Sequence, residues 1–143
     1  MPDTPQSITL AAAIGSLKAA TEFVRKGAVE AKLPERRIGE LDLVVEEILA
    51  NLSLHAYPDG APGDVTITYS VPAPGALRVE FADQGREFDP LTATTPDLTL
   101  DLSGRPIGGL GIFLVKSFTD SLTYRREEGW NRLALGISAG SWS

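Results

Sequence analysis

The chain has 143 residues, a length typical of a single domain that buries a core without disulfides or metals. Its hydrophobic share of 43% and charged share of 22% are those of an ordinary globular protein, while its net charge of -6 argues against nucleic acid as the main partner. The absence of cysteine excludes thiolate chemistry, and a single histidine makes the chain a poor candidate for a structural zinc site.

The first half of the chain predicts a short edge strand and two helices. Residues 7–10 fit the strand, and residues 12–31 fit a first helix because their apolar side chains recur near helical spacing. Pro34 suits the first turn of a second helix. We expect that helix to end at Ala56, where residues 57–60 supply a stop and turn chemistry.

The second half predicts two β-hairpins around a third helix. Residues 65–69 and 77–81 alternate between apolar and polar on either side of a Pro-Gly turn, which indicates a hairpin with one buried face. A helix fits Gly109–Phe118, and a second hairpin fits residues 121–137. Residues 90–107 have no period, and a stretch of this kind is usually functional or disordered. This order favours an α+β domain, in which a mostly antiparallel sheet carries helices on one face.

The second helix carries a line of polar residues on its inner side. Projection at about 100° per residue separates a solvent face from an apolar flank. The solvent face comprises Glu35, Asp42, Glu46 and Ser53, and the flank comprises Ile38, Leu41, Val45, Leu49 and Leu52. Roughly opposite the solvent face lie Glu47, Asn51 and His55, each four residues apart. Polar side chains there are costly without partners, so this line is either satisfied in the core or lines a cleft.

Two further segments allow both a structural and a functional interpretation. Asp83 and Gly85 follow a strand and are residues that any turn would use. An Asp at the rim of a sheet can also accept a hydrogen bond from an exocyclic amine, and a glycine leaves room for a flat base. Gly108, Gly109 and Gly111 open a helical run, which fits either tight helix packing or close approach of the backbone to an anion.

Together these segments resemble the N, G1 and G2 boxes of GHKL ATPases, which include gyrase-, chaperone- and histidine-kinase-type ATP domains. The matching residues are Glu47-x-x-x-Asn51 with His55-Ala56-Tyr57, Asp83-x-Gly85-x-x-Phe88-Asp89-Pro90, and Gly108-Gly109-Leu110-Gly111-Ile112-x-Leu114-Val115. The small size, the His-Ala-Tyr ending and the Phe-Asp-Pro sequence are similar to one branch, the bacterial anti-sigma-factor serine kinases of partner-switching systems. The resemblance covers nearly the whole chain, from the first helix to Leu135.

The resemblance implies one histidine-kinase-like ATPase domain over residues 1–143. Its fold would be a Bergerat-type two-layer α/β sandwich that binds ATP and Mg²⁺ between the helices and an ATP lid at residues 91–107. Glu47 matches the general base, and Asn51 matches the Mg²⁺ ligand that bridges the phosphates. The remaining candidates for nucleotide contact are Asp83, which reads the adenine amine, with Gly85, Phe88, Gly108, Gly109 and Gly111.

Three positions depart from the family pattern. Leu52 follows Asn51 where this branch often has a small residue. Asn131 stands about where a Thr often helps the aspartate to hold the base through water, and its amide keeps it among the nucleotide-binding candidates. The lid contains one basic residue, Arg105, which leaves stabilisation of the γ-phosphate mainly to Mg²⁺ and the backbone.

The activity implied is transfer of the γ-phosphoryl group to a Ser or Thr hydroxyl of an antagonist (anti-anti-sigma) protein, with a sigma factor as a further partner. Dimerisation is implied by the resemblance only. An alternative is an ATP-gated module that sequesters a partner without efficient phosphotransfer. A histidine kinase would need a dimerisation hairpin for which 143 residues leave no room, and a purely structural domain would bind no nucleotide. Without a signal peptide or a bilayer-spanning apolar run, the expected location is cytoplasmic.

Overall fold

The computed structural model describes residues 4–57, 63–92 and 109–139. Within these ranges the strands are β1 (Gln6–Ala11), β2 (Asp64–Ala73), β3 (Ala76–Asp83), β4 (Ser121–Glu127) and β5 (Trp130–Ser138). The helices are α1 (Leu17–Glu30), α2 (Glu35–His55) and α3 (Gly109–Phe118), with short 3-10 turns at Ile14–Ser16 and Pro90–Thr92. None of the helices described is both long and apolar enough to cross a bilayer.

The five strands form one antiparallel sheet in the order β1-β2-β3-β5-β4. Two hairpins, β2–β3 and β4–β5, supply four of the strands, and β3 pairs with β5 where the hairpins meet. The predicted α+β fold and both predicted hairpins are therefore confirmed. The pairing sets Asp83 opposite Asn131, and Asn131 opposite Arg126. These three residues form a row across the sheet.

The turn between β4 and β5 fixes this row. Glu128 and Gly129 both have positive φ, 50° and 87°, as a two-residue type I′ hairpin turn requires. The turn makes Glu127 the partner of Trp130, and Arg126 is consequently the partner of Asn131. Glycine adopts this conformation without the steric cost that other residues bear.

The core lies between one face of the sheet and helices α1 and α2. Side chains alternate between faces along a strand, so every second residue is directed to the helices. The buried apolar residues of the strands include Val65, Ile67, Tyr69, Leu77, Val79, Phe81, Leu135 and Ile137. The apolar flank predicted on α2 is buried as well, apart from Leu52, which is half-buried. Each such side chain contributes about 1.5–3 kcal/mol when it is fully buried, so this two-layer packing dominates stability.

Two helix starts differ from the prediction. The N–H of Ala12 donates to the carbonyl of Gly63, which keeps the chain extended beyond β1, and α1 begins at Leu17 instead of residue 12. Ile14, one of the apolar residues near helical spacing in the predicted first helix, lies in the 3-10 turn and is 53% exposed. Pro34 precedes α2 in an extended conformation, and its carbonyl accepts the N–H groups of Arg37 and Ile38.

Arg37 is a buried charge near the start of α2, only 3% exposed. Its guanidinium donates to the carbonyls of Ser138 (2.8 Å) and Phe118 (3.2 Å) and to the carboxylate of Glu40 (2.7 Å), and it lies 3.4 Å from an oxygen of Asp120. One side chain therefore connects α2, the end of α3 and the end of β5. Sequence reasoning did not identify it, because arginine near a helix start is ordinarily solvated.

Candidate functional site

A cleft of about 400 Å³, its open mouth included, lies between α2, the ends of β3 and β5, and the segment after β3. It is lined by Ile48, Asn51, Leu52, Ala56, Phe81, Asp83, Phe88, Pro90, Tyr124, Asn131 and Leu133. The fold thus brings together four predicted site residues, Asn51, Asp83, Phe88 and Asn131. The remaining walls are mainly apolar, as a site for a flat ring system requires.

Asp83 presents one unused acceptor to this cleft. The residue is 2% exposed, and its Oδ1 accepts hydrogen bonds from the backbone N–H of Gly85 and from Nδ2 of Asn131, both at 2.9 Å. Its Oδ2 receives no hydrogen bond from any residue that the structure describes. Oδ2 is not among the fully enclosed unpaired polar atoms of the described residues, so it is open to the cleft that Asp83 lines and is suited to a ligand that donates.

Asn131 holds Asp83 in place and is itself held at both ends. Its Nδ2 donates to Asp83 and to the carbonyl of Arg86 at 2.7 Å. Its Oδ1 accepts from the hydroxyl of Tyr124 at 2.6 Å, from the guanidinium of Arg126 at 3.1 Å and from the backbone N–H of Phe88 at 3.5 Å. Burial, followed by the charge of Glu87, raises the pKa of Tyr124, so its hydroxyl keeps the proton that it donates.

Asn51 is the second polar residue of the cleft with hydrogen-bonding capacity that no described residue uses. It is 8% exposed, and its amide makes no hydrogen bond with any described residue. The amide oxygen is the kind of ligand that Mg²⁺ accepts. Within the described ranges no group of three acidic or histidine side chains could hold a metal ion, so a Mg²⁺ bound at Asn51 would take its other ligands from phosphate and water. The residues present fit such an ion.

Glu47 lies one helical turn before Asn51 and is half-buried. It is not part of the cleft lining, and neither a hydrogen bond nor an ion pair joins it to a described residue. Partial burial raises the pKa of its carboxyl, and the neighbouring charge of Glu46 raises that pKa further. A carboxylate with a raised pKa binds a proton more readily, and this property suits a general base.

His55, the third member of the polar line on α2, does not line the cleft but packs against a residue that does. Its ring stacks on Phe88, with centroids 4.6 Å apart and planes inclined by 26°. Phe88 lines the cleft, so His55 supports a wall of the site from behind. Of the three residues in the polar line, Asn51 lines the cleft, Glu47 lies nearby, and His55 packs behind Phe88.

The segment after β3 is docked on the C-terminal end of α2. The backbone N–H of Arg86 donates to the carbonyl of Ala56, and its Nε donates to the carbonyl of His55, both at 2.8 Å. These are the carbonyls that a helix end leaves without partners. A Cβ on Gly85 would lie 2.1 Å from the same Ala56 oxygen, so glycine is required for this approach. This packing is a second reason for Gly85, besides the room for a base expected from the sequence.

Tyr57 ties the same region to β2. Its hydroxyl donates to the carbonyl of Asp64 at 2.8 Å and accepts the N–H of Gln84 at 3.0 Å. Burial is the main cause that raises the pKa of Tyr57. Tyr57, the last residue of the N-box sequence, thus fixes the segment that follows Asp83.

The glycine run opens α3 as predicted, because the helix begins at Gly109 and includes Gly111. The N-terminus of a helix favours anions through its free N–H groups. Helix α3 packs against α2, the helix that carries Asn51. Gly108 and residues 93–107 of the predicted lid lie outside the described residues.

Sequence reasoning missed Tyr124, Arg126 and Arg86. Arg126 could have been found, because a two-residue turn at Glu128–Gly129 places it opposite Asn131. Tyr124 lies two residues away on the same face of β4, where diagonal neighbours are within reach of an aromatic side chain. No local pattern indicates that Arg86 reaches back to the end of α2.

Comparison with known sequences gives a consistent result. Residues 10–137 match the family described as histidine kinase-like ATPase domain. The serine/threonine-protein kinase BtrW of Bordetella bronchiseptica is 34% identical over 95 residues, which cover 66% of this chain and 66% of that protein. The serine-protein kinase RsbW of Bacillus subtilis is 32% identical over 98 residues, 64% of this chain and 59% of that protein. The chain thus spans only part of the length of these relatives.

Comparison with solved structures agrees on the fold. A Mycobacterium tuberculosis chain with RsbU and RsbW domains superimposes with a TM-score of 0.65 at 16% identity, over 96% of this chain and 33% of that one. The histidine kinase domain of a blue-light-activated kinase from Erythrobacter litoralis gives a TM-score of 0.52 at 25% identity, over 74% of this chain and 46% of that one. At 16% identity the first likeness concerns the fold alone.

Proposed function

Because the chain belongs to the histidine kinase-like ATPase domain family, we propose that it is an Mg-ATP-dependent serine/threonine kinase of an antagonist (anti-anti-sigma) protein. The observation that carries the proposal is the pair of buried polar side chains in one cleft, Asn51 and Asp83. Each has hydrogen-bonding capacity that no described residue uses. The relatives named as serine kinases favour the same activity.

The nucleotide would bind with its two ends on different elements. Asp83 Oδ2 accepts the exocyclic amine of adenine, and the apolar walls cover the faces of the base. Asn51 and the N-terminus of α3 provide the groups for Mg²⁺ and phosphate. When bound, Mg²⁺ would neutralise charge on the phosphate oxygens.

Phosphoryl transfer needs little covalent chemistry from the protein. A bond forms between the Ser or Thr oxygen of the partner and the γ-phosphorus, while the bond from that phosphorus to the β–γ bridging oxygen breaks and ADP leaves. The hydroxyl proton passes to Glu47, whose raised pKa suits it as acceptor. We further propose a cytoplasmic location, and a sigma factor as a further partner of the chain.

One observation favours a second candidate function. Glu47 is near the cleft but not among its lining residues. A protein in which this carboxylate never reaches the hydroxyl would still bind ATP, and it would act as an ATP-gated module that sequesters its partner without efficient phosphotransfer.

The test combines calorimetry with phosphotransfer. We expect ATP and ADP to bind in a Mg²⁺-dependent manner, and labelled ATP to yield phosphoserine or phosphothreonine on an antagonist-type protein from the same genome. Absence of nucleotide binding up to millimolar concentration would rule out both candidate functions. Binding without transfer to the cognate partner would select the sequestering module.

Replacement of Asn51 by alanine should weaken Mg-ATP binding by about tenfold or more, the usual effect of losing a bond to a charged group. Thermal stability should change little, because no described residue loses a hydrogen-bond partner. Calorimetry and melting curves measure the two effects. Ser53→Ala, on the exposed face of the same helix, is the matched control. A variant that melts much lower yet binds as tightly as the parent would make Asn51 a core residue.

Replacement of Asp83 by asparagine should reduce discrimination between ATP and GTP. The amide can direct its NH₂ group towards the donor of adenine, and we expect a loss of ATP affinity of about 10–100-fold. Competition binding with the two nucleotides measures the ratio. Asp64→Asn, an exposed change of the same kind on β2, should leave it unaltered. Unchanged selectivity in Asp83→Asn would remove Asp83 from base recognition.

A further inference from the structure

The amide of Asn131 has no hydrogen-bonding capacity left for a ligand. A carboxamide has two N–H donors and one oxygen that accepts two bonds. Both donors are used, by Asp83 Oδ1 and by the carbonyl of Arg86. The oxygen accepts from Tyr124 and Arg126 and, at the longer distance of 3.5 Å, from the backbone N–H of Phe88. Asn131 is 5% exposed, so water does not compete freely for these groups.

The partners also determine which way the amide faces. A guanidinium only donates, and a carboxylate only accepts. If the carboxamide were rotated by half a turn, its NH₂ group would face the donor Arg126 and its oxygen would face the acceptor Asp83 Oδ1. Both contacts would then be repulsive. Tyr124 and Arg126, on the β4 side of the row, therefore hold the NH₂ group of Asn131 towards Asp83.

This arrangement restricts what Asp83 offers to a ligand. With Oδ1 saturated by Asn131 and by the N–H of Gly85, the carboxylate presents only Oδ2. Arg126 also donates to the carbonyl of Gly85 at 2.8 Å, so the same guanidinium holds the backbone that donates to Oδ1. One acceptor at a fixed position is what a base with an exocyclic amine needs.

We propose that Tyr124 and Arg126 are positioning residues that set the nucleobase selectivity of the cleft by locking the amide of Asn131. They would favour a purine with an amine at its six-position over one with a carbonyl there. Without these two donors fewer bonds orient the amide of Asn131, so it turns more readily, offers its NH₂ group to a carbonyl, and holds Asp83 less firmly. This inference rests on the proposed nucleotide site and adds the residues that give it selectivity.

The first measurement needs no nucleotide. In the isotope-labelled protein, NMR should show slow exchange for the side-chain NH₂ protons of Asn131. Exchange should become at least about tenfold faster in the double variant Tyr124→Phe/Arg126→Met, because two of the bonds that fix the amide are lost. Arg125→Met removes one charge from the neighbouring, exposed position on β4 and serves as the matched control. Exchange as slow in the double variant as in the parent would overturn the lock.

The second measurement compares the affinities of ATP and inosine triphosphate, which carries a carbonyl in place of the amine. We expect the ratio to fall by about tenfold in the double variant and to stay constant in Arg125→Met. The single variant Tyr124→Phe keeps the aromatic ring in the cleft wall. If the double variant is unstable, the ratio of the two affinities is measured in this single variant instead. If the parent binds ATP and the double variant has the same affinity ratio as the parent, the inference is overturned and the proposed function stays intact. A parent that binds neither nucleotide would overturn both.

Discussion

Replacement of Glu47 by glutamine should reduce phosphotransfer to the partner by about 10²–10⁴-fold, the usual contribution of a general base. The variant keeps the shape of the side chain and loses its charge and basicity. Nucleotide affinity should stay close to that of the parent, because Glu47 is not part of the cleft lining. Phosphoserine or phosphothreonine formed at equal nucleotide occupancy measures the effect.

Glu46→Gln is the matched control, since Glu46 is exposed on the adjacent position of the same helix. It should transfer nearly as fast as the parent at neutral pH. Equal rates for parent and Glu47→Gln would remove Glu47 from the mechanism. A much smaller loss than expected would indicate a carboxylate that orients the hydroxyl without taking its proton.

The same variant should also differ from the parent in its response to pH. The raised pKa of Glu47 means that folding disfavours its ionised form. The parent therefore loses this part of its stability as pH rises through the folded pKa, and Glu47→Gln should be slightly more stable at neutral pH. Below the ordinary glutamate pKa of 4.5 the two proteins should melt alike. As pH is lowered, the transfer rate should begin to fall at a pH above 4.5, because the raised pKa of Glu47 causes it to take up its proton there.

Replacement of Arg37 by alanine should lower the free energy of unfolding by about 2–4 kcal/mol. The change leaves the carbonyls of Phe118 and Ser138 without their donor and removes the counter-charge of Glu40 and Asp120. Denaturant unfolding measures the loss. Nucleotide affinity of the folded protein should be nearly unchanged, since Arg37 and Asn51 are about 21 Å apart along α2.

Two comparisons sharpen the Arg37 experiment. Arg37→Lys keeps the charge but not the planar fork, and we expect an intermediate loss. Arg25→Ala removes an exposed arginine that pairs with Asp42 and should change stability far less, because exposed ion pairs contribute little. If Arg37→Ala is no more damaging than Arg25→Ala, the buried network does not hold the elements together.

The elements that carry the site could be predicted because their periodicity is local. Helix α2, both hairpins and the start of α3 at Gly109 follow from residue spacing alone. The polar line on α2 predicted that a cleft or a satisfied core would meet that face. Asn51 lies at the cleft, whereas His55 is satisfied by stacking on Phe88. Spacing on a helix cannot tell these outcomes apart, because the partner residues come from distant segments.

The parts that could not be predicted depend on contacts between distant residues. Arg37 reaches residues 81 and 101 positions away, and nothing in its neighbourhood indicates burial. The sequence predicts that Gly85 leaves room for a base, whereas its close approach to Ala56 depends on where α2 ends. The structure brings several candidate site residues together, but the roles of all of them stay predictions.

The row formed by Asp83, Asn131 and Arg126 has a consequence for how the chain folds. Hairpins β2–β3 and β4–β5 each close through a short local turn, whereas the bond from Asn131 to Asp83 joins residues 48 positions apart. Closing the longer loop costs more entropy, so chain connectivity favours this junction less than it favours either hairpin. Neither hairpin alone contains the proposed base-recognition site, because its residues come together only in the assembled sheet. A bound nucleotide consequently stabilises the junction between the two hairpins by mass action.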